Sequence, residues 1–75
     1  MSVKISVAGL GKLGSSVAAV LADRGFTVIG IDTNEKAVAA VNDGRAPVAE
    51  TGLETLIREN RSLISATTDC QKAVV

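Results

Sequence analysis

The sequence predicts an α/β fold: a doubly wound parallel sheet, incomplete, with three strands in the order 3-2-1 and helices flanking it. Three observations carry this. Short β-branched apolar runs alternate with segments of helical periodicity along the chain. Three glycines, Gly9, Gly11 and Gly14, stand between the first such run and the first helix. An acid, Asp32, ends the second run about 20 residues further on, where a ribose-binding carboxylate belongs in such sheets. Strands alternating with helices pair in parallel through right-handed crossovers, which argues against a sandwich or a barrel.

Residues 3–8, VKISVA, alternate with Val3, Ile5 and Val7 on one face and form the first strand. After the glycines, Leu13, Val17, Val20 and Leu21 fall at helical spacing, Ala18, Ala19 and Ala22 keep the helix slim, and Gly25 stops it. Residues 27–32, TVIGID, form the second strand. Residues 34–43 form the second helix, with Val38 and Val41 inward and Gly44 closing it. GRAPVAE is a loop around the only proline, Pro47. The TGLE that follows has the form of a capping box, in which Thr51 caps a third helix, Glu54 reaches back, and Leu53, Leu56 and Ile57 face inward. Residues 62–68, SLISATT, make the third strand, and Thr68 or Asp69 caps a further helix that begins in CQKAVV. Residues 1–75 are thus expected to be the N-terminal part of one Rossmann-like domain, truncated before its fourth strand.

The composition narrows the chemistry. Eight basic residues balance eight acidic ones, which gives no electrostatic reason to expect a nucleic-acid or membrane partner. The single cysteine, Cys70, forms no internal disulfide, and the absence of histidine removes the commonest zinc sites and any serine–histidine relay. No metal site and no catalytic residue is expected in this chain. It has neither a signal-peptide layout nor an apolar run near the ~20 residues of a membrane span, so a cytoplasmic location is expected. The core of so small a unit is marginal, and the outer edge of the first strand carries only Lys4 as a protecting charge. A homo-oligomer formed through that edge or the truncated helix is therefore expected.

The glycine spacing has a physical reading. Gly9 allows a tight turn out of the strand, Gly11 lets the backbone approach a pyrophosphate, and Gly14 lets the helix pack closely on the sheet, with Leu10, Lys12 and Leu13 completing the cradle. The helix beginning near Lys12 points its unpaired N–H groups and positive dipole end at the phosphates. Asp32 can accept bonds from both adenosine ribose hydroxyls and would repel a 2′-phosphate, which favours NAD over NADP. It can also cap the helix that starts near Asn34. Lys12 either approaches phosphate or is a solvated first-turn lysine, and Lys36 either reaches the ribose or is an ordinary exposed helix residue. The expected cofactor-binding set is Gly9, Leu10, Gly11, Lys12, Leu13, Gly14, Asp32 and Lys36.

These residues, and still more the segment VNDGRAPVAETGLETLI at 41–57 with the later Thr67, Thr68 and Asp69, resemble the N-terminal NAD-binding region of the UDP-glucose/GDP-mannose dehydrogenases. The resemblance spans the whole chain. It implies an enzyme that oxidises the C6 alcohol of a nucleotide sugar to a carboxylate in two NAD-dependent steps through a cysteine-bound intermediate. Gly9, Gly11, Gly14 and Asp32 match its cofactor positions. Lys12 and Leu13 replace the usual Tyr-Val, Thr51 replaces the proline of Glu-Pro-Gly-Leu, and Lys36 stands one position earlier than the family's ribose-side lysine. Cys70 does not match the catalytic cysteine, which lies further along such chains. The implied partner is a nucleotide-sugar substrate. A regulatory NAD-sensing module of the kind attached to ion transporters, moving no hydride, is the alternative, and it has no need of the 44–53 loop.

Overall fold

The structure, a computed structural model, describes residues 3–69. Its elements follow the expected order: β1 (Lys4–Ala8), α1 (Lys12–Asp23), β2 (Thr27–Ile31), α2 (Glu35–Asn42), α3 (Leu53–Glu59) and β3 (Ile64–Thr67). The strands make one parallel sheet in the order β1-β2-β3, with β2 in the middle. Ile5 stands opposite Val28 and Val7 opposite Gly30, while on the other side Val28 meets Ile64 and Gly30 meets Ala66. The expected order is therefore the observed one. Among the described residues β1 has a strand neighbour on one side only. The helix expected after Asp69 falls outside the described residues, as does Cys70.

The core lies between the sheet and its helices, built from Leu10, Val28, Val41, Leu53, Ile57 and Ile64 together with alanines of α1. The face that α1 buries is Ser15, Ala18, Ala19 and Ala22, not its larger apolar residues. Leu13, Val17 and Val20, which fall at helical spacing, are exposed, and Leu21 is half-buried. The reason is steric: alanines let the helix axis come close to the sheet, and a valine or leucine in their place would hold it away. Periodicity found the helix, but two apolar stripes share its surface and side-chain size decides which one is buried.

The start of α3 differs from the expected capping box. Its N-cap is Gly52, in the left-handed region at φ 80°, and no side chain caps it. Thr51 takes no part. Glu54 instead accepts the Ala46 N–H at 3.3 Å and pairs with Arg58 at 3.2 Å, so it staples the preceding loop to the helix. Asn42 has a role that the sequence did not announce. Its amide oxygen accepts the Ala66 N–H at 2.9 Å and its amide nitrogen donates to the Ala66 carbonyl at 3.0 Å, closing a stretch of the outer edge of β3. Asn42→Ala is expected to cost about 1 kcal/mol in chemical denaturation, since two bonds are lost while alanine slightly favours the helix.

Gly30 explains how the sheet meets the glycine turn. A Cβ there would lie 2.5 Å from Leu10 Cδ2 and 3.2 Å from Leu10 Cδ1 and Cγ, so β2 is hollowed at this point to receive the Leu10 side chain. Leu10 is only 2% exposed. Gly30→Val should displace it, destabilising the fold by about 1–3 kcal/mol and loosening the turn that Leu10 anchors.

Candidate functional site: the glycine turn and Asp32

At the end of β1 the chain reverses direction through Gly9, whose φ of 90° is open to glycine and strained for other residues. The Gly9 N–H donates to the Ile31 carbonyl at 2.7 Å, which ties the turn to the end of β2. Gly11 is the N-cap of α1 and contributes no side chain to it, and no acid lies in the first turn. The first helical bonds are Ser15 N–H and Ser15 Oγ–H to the Gly11 carbonyl, at 2.9 and 2.7 Å. The amides of Lys12, Leu13 and Gly14 therefore precede the helical ladder and end α1 as a set of donors. An ideal Cβ on Gly11 would meet no atom within 4 Å, so the space beside it is open. On Gly14 the same atom would run into the Gly9 carbonyl oxygen. One glycine leaves room for a ligand, and the other closes the helix on the turn.

Asp32 stands just past β2 and joins the two halves of the site. Its Oδ2 accepts the Leu10 N–H at 2.7 Å and its Oδ1 accepts the Asn34 N–H at 2.8 Å. The α2 cap belongs to Asn34, whose Oδ1 accepts from the Lys36 and Ala37 amides at 3.0 and 3.3 Å. The capping role open to Asp32 is thus filled by its neighbour. Each carboxylate oxygen keeps a second lone pair for a further donor, as two ribose hydroxyls require.

The backbone N–H of Leu10 above all, then that of Asn34, holds the Asp32 carboxyl below its ordinary 3.8, against a smaller opposing effect of burial and with help from Thr33. A lowered carboxyl contributes stability above its unfolded value and loses it as the pH falls through the folded one. NAD affinity is accordingly expected to stay flat between about pH 5 and 8 and to fall only under more acid conditions, as calorimetry across that range would record.

The structure brings Gly9, Leu10, Gly11, Lys12, Leu13, Gly14 and Asp32 together. Leu10 serves the site from within: its side chain is in the core and its N–H is committed to Asp32. Leu13 is exposed, as is Lys12, whose ammonium pairs with Glu50 at 3.6 Å. Lys36 is exposed in the first turn of α2, with its backbone N–H bound by the cap. The residue that motif spacing alone missed is Glu50, which the 44–52 loop carries back to the first turn of α1. Among the described residues no cluster of metal-binding side chains occurs, and no helix is long and apolar enough to cross a membrane.

A glycine turn that opens onto a helix end, beside an acid at the end of the neighbouring parallel strand, defines a dinucleotide-binding unit of the Rossmann class. The chain belongs to the UDP-glucose/GDP-mannose dehydrogenase family as its NAD binding domain, whose family model matches residues 3–75. It is 40% identical over 74 residues to GDP-mannose 6-dehydrogenase of Pseudomonas aeruginosa, covering 96% of this chain and 17% of that protein. It is 40% identical over 67 residues to UDP-glucose 6-dehydrogenase of Haloferax volcanii, covering 88% of this chain and 16% of that one. A ternary complex of GDP-mannose dehydrogenase from Pseudomonas aeruginosa superposes with a TM-score of 0.90 at 42% identity, over 93% of this chain and 16% of that chain. A UDP-glucose dehydrogenase from Pyrobaculum islandicum gives 0.89 at 32% identity, over 99% and 18%. The chain thus spans about a sixth of the length of these relatives.

Proposed function

We propose that the chain is the cofactor-holding part of a nucleotide-sugar 6-dehydrogenase, and that it binds NAD in preference to NADP. The observation that carries this reading is the pairing of open space beside Gly11 with an ionised Asp32 whose remaining lone pairs suit a ribose diol. The amides of Lys12, Leu13 and Gly14 receive the pyrophosphate, and the positive end of α1 favours its charge. Asp32 accepts the ribose hydroxyls and repels a 2′-phosphate. When bound, NAD supplies the hydride acceptor for oxidation of a sugar C6 alcohol to a carboxylate. The names of the relatives, GDP-mannose 6-dehydrogenase and UDP-glucose 6-dehydrogenase, support a nucleotide sugar as the substrate.

The site residues argued above hold cofactor, and none of them is given a role as nucleophile or proton carrier. The 75-residue chain is expected to bind NAD without reducing it in the presence of any UDP- or GDP-sugar, whereas a protein carrying it together with the remaining length of its relatives reduces two NAD per sugar. Calorimetric competition tests the binding half: ADP-ribose is expected to displace NAD, and nicotinamide mononucleotide is not. Displacement by the mononucleotide alone would place the ligand elsewhere.

A further inference from the structure

The first turn of α1 carries no acidic residue of its own, and the fold returns Glu50 to it, where the carboxylate pairs with Lys12. Lys12 is the first residue of α1, and Cβ bonds in a helix tilt toward its N-terminus. Its four-carbon stem therefore has two places for its ammonium: over the open helix end, or sideways across the helix flank. In this structure the ammonium is 3.6 Å from Glu50 Oε2, and the two side chains line, with Leu13 and Ser16 and with neither Asp32 nor any glycine of the turn, a hollow of about 320 Å³. The backbone that carries Glu50 is tied down: its carbonyl accepts the Leu53 N–H at 3.2 Å, and the loop before it is stapled by the Ala46 N–H to Glu54.

We propose that Glu50 is a positioning residue for the anion site: it holds the Lys12 ammonium off the glycine turn, and the cofactor pyrophosphate draws the lysine across by breaking that pair. The proposal rests on the reading of the glycine turn as the NAD site. The pair is largely exposed, at 78% and 35% of the two side chains, so it is weak enough for a doubly charged ligand to break. Glu50 thereby limits the affinity for any phosphate at the turn and keeps the cofactor exchangeable.

The test is a double-mutant cycle on the full chain, with Glu50→Gln, Lys12→Met and their combination, titrated with NAD and with adenosine at low and high salt. Glu50→Gln is expected to tighten NAD about three-fold and to steepen the salt dependence, because a freed lysine reaches the phosphates. Lys12→Met alone should weaken NAD by less than about two-fold, and in the double variant most of the gain from Glu50→Gln should vanish. Adenosine, which has no phosphate, should bind all four proteins alike. A gain from Glu50→Gln that persists without Lys12, the absence of a gain, or an equal change for adenosine would overturn the proposal while leaving the NAD site standing. Failure of the unmodified protein to bind NAD would overturn the site itself and the proposal with it.

Discussion

Replacing Gly14 by alanine is expected to destabilise the fold by about 3 kcal/mol or more and to abolish NAD binding with it. The added Cβ would run into the Gly9 carbonyl oxygen and lie 2.9 Å from the Gly9 carbonyl carbon. Those atoms are backbone, so no rotamer change relieves the contact, and the cost falls at or above the upper end of ordinary overpacking. For a domain of this size such a loss is a large share of its total stability and lowers the melting temperature by roughly 12–24 °C. The only available relief is to push the turn away from α1, which disperses the donors that face the phosphates. Gly11→Ala is the informative contrast. An alanine Cβ there meets nothing within 4 Å, and φ −69° with ψ −166° suits alanine. The protein should melt within a few degrees of the unmodified one yet lose most of its NAD affinity, because the methyl occupies the approach of the pyrophosphate. Thermal melts and titrations of the two variants side by side separate a glycine required by the fold from one required by the ligand.

Asp32→Asn is expected to lower NAD affinity by about 10- to 100-fold and to narrow the preference over NADP. The carboxylate now accepts an N–H on each oxygen, from Leu10 and from Asn34. An asparagine offers one oxygen and one NH2, so one of those amides would face a donor instead of an acceptor. The ribose loses a charged acceptor in the same step, while a 2′-phosphate is relieved of repulsion. NADP should therefore suffer less than NAD. Equal affinity for NAD and NADP in the unmodified protein would contradict the role given to Asp32.

Much of this arrangement was legible from residue order. The β-branched runs located all three strands, and Gly44 closes α2 as its position implied. The glycine turn and Asp32 could be placed together because both sit at strand ends, where a parallel sheet gathers its loops. Besides the bracing of β3 by Asn42, three features were not legible. The buried face of α1 depends on how close the helix must come to the sheet, a tertiary requirement that apolar spacing does not encode. The α3 start looked like a capping box because Thr51 and Glu54 have the right spacing, but a left-handed Gly52 redirects the chain and leaves Glu54 to the Ala46 amide. The Lys12–Glu50 pair joins residues far apart in sequence, so only the fold reveals it.

The central claim is that the glycine turn and Asp32 form one NAD site, and amide chemical-shift mapping of the 15N-labelled protein during an NAD titration tests it most directly. The predicted result is saturable movement of the Gly11, Lys12, Leu13 and Gly14 amides together with those of Asp32, Thr33 and Asn34, while the amides of α3 and β3 stay in place. Movement confined to any other surface, or none at millimolar NAD, would contradict it.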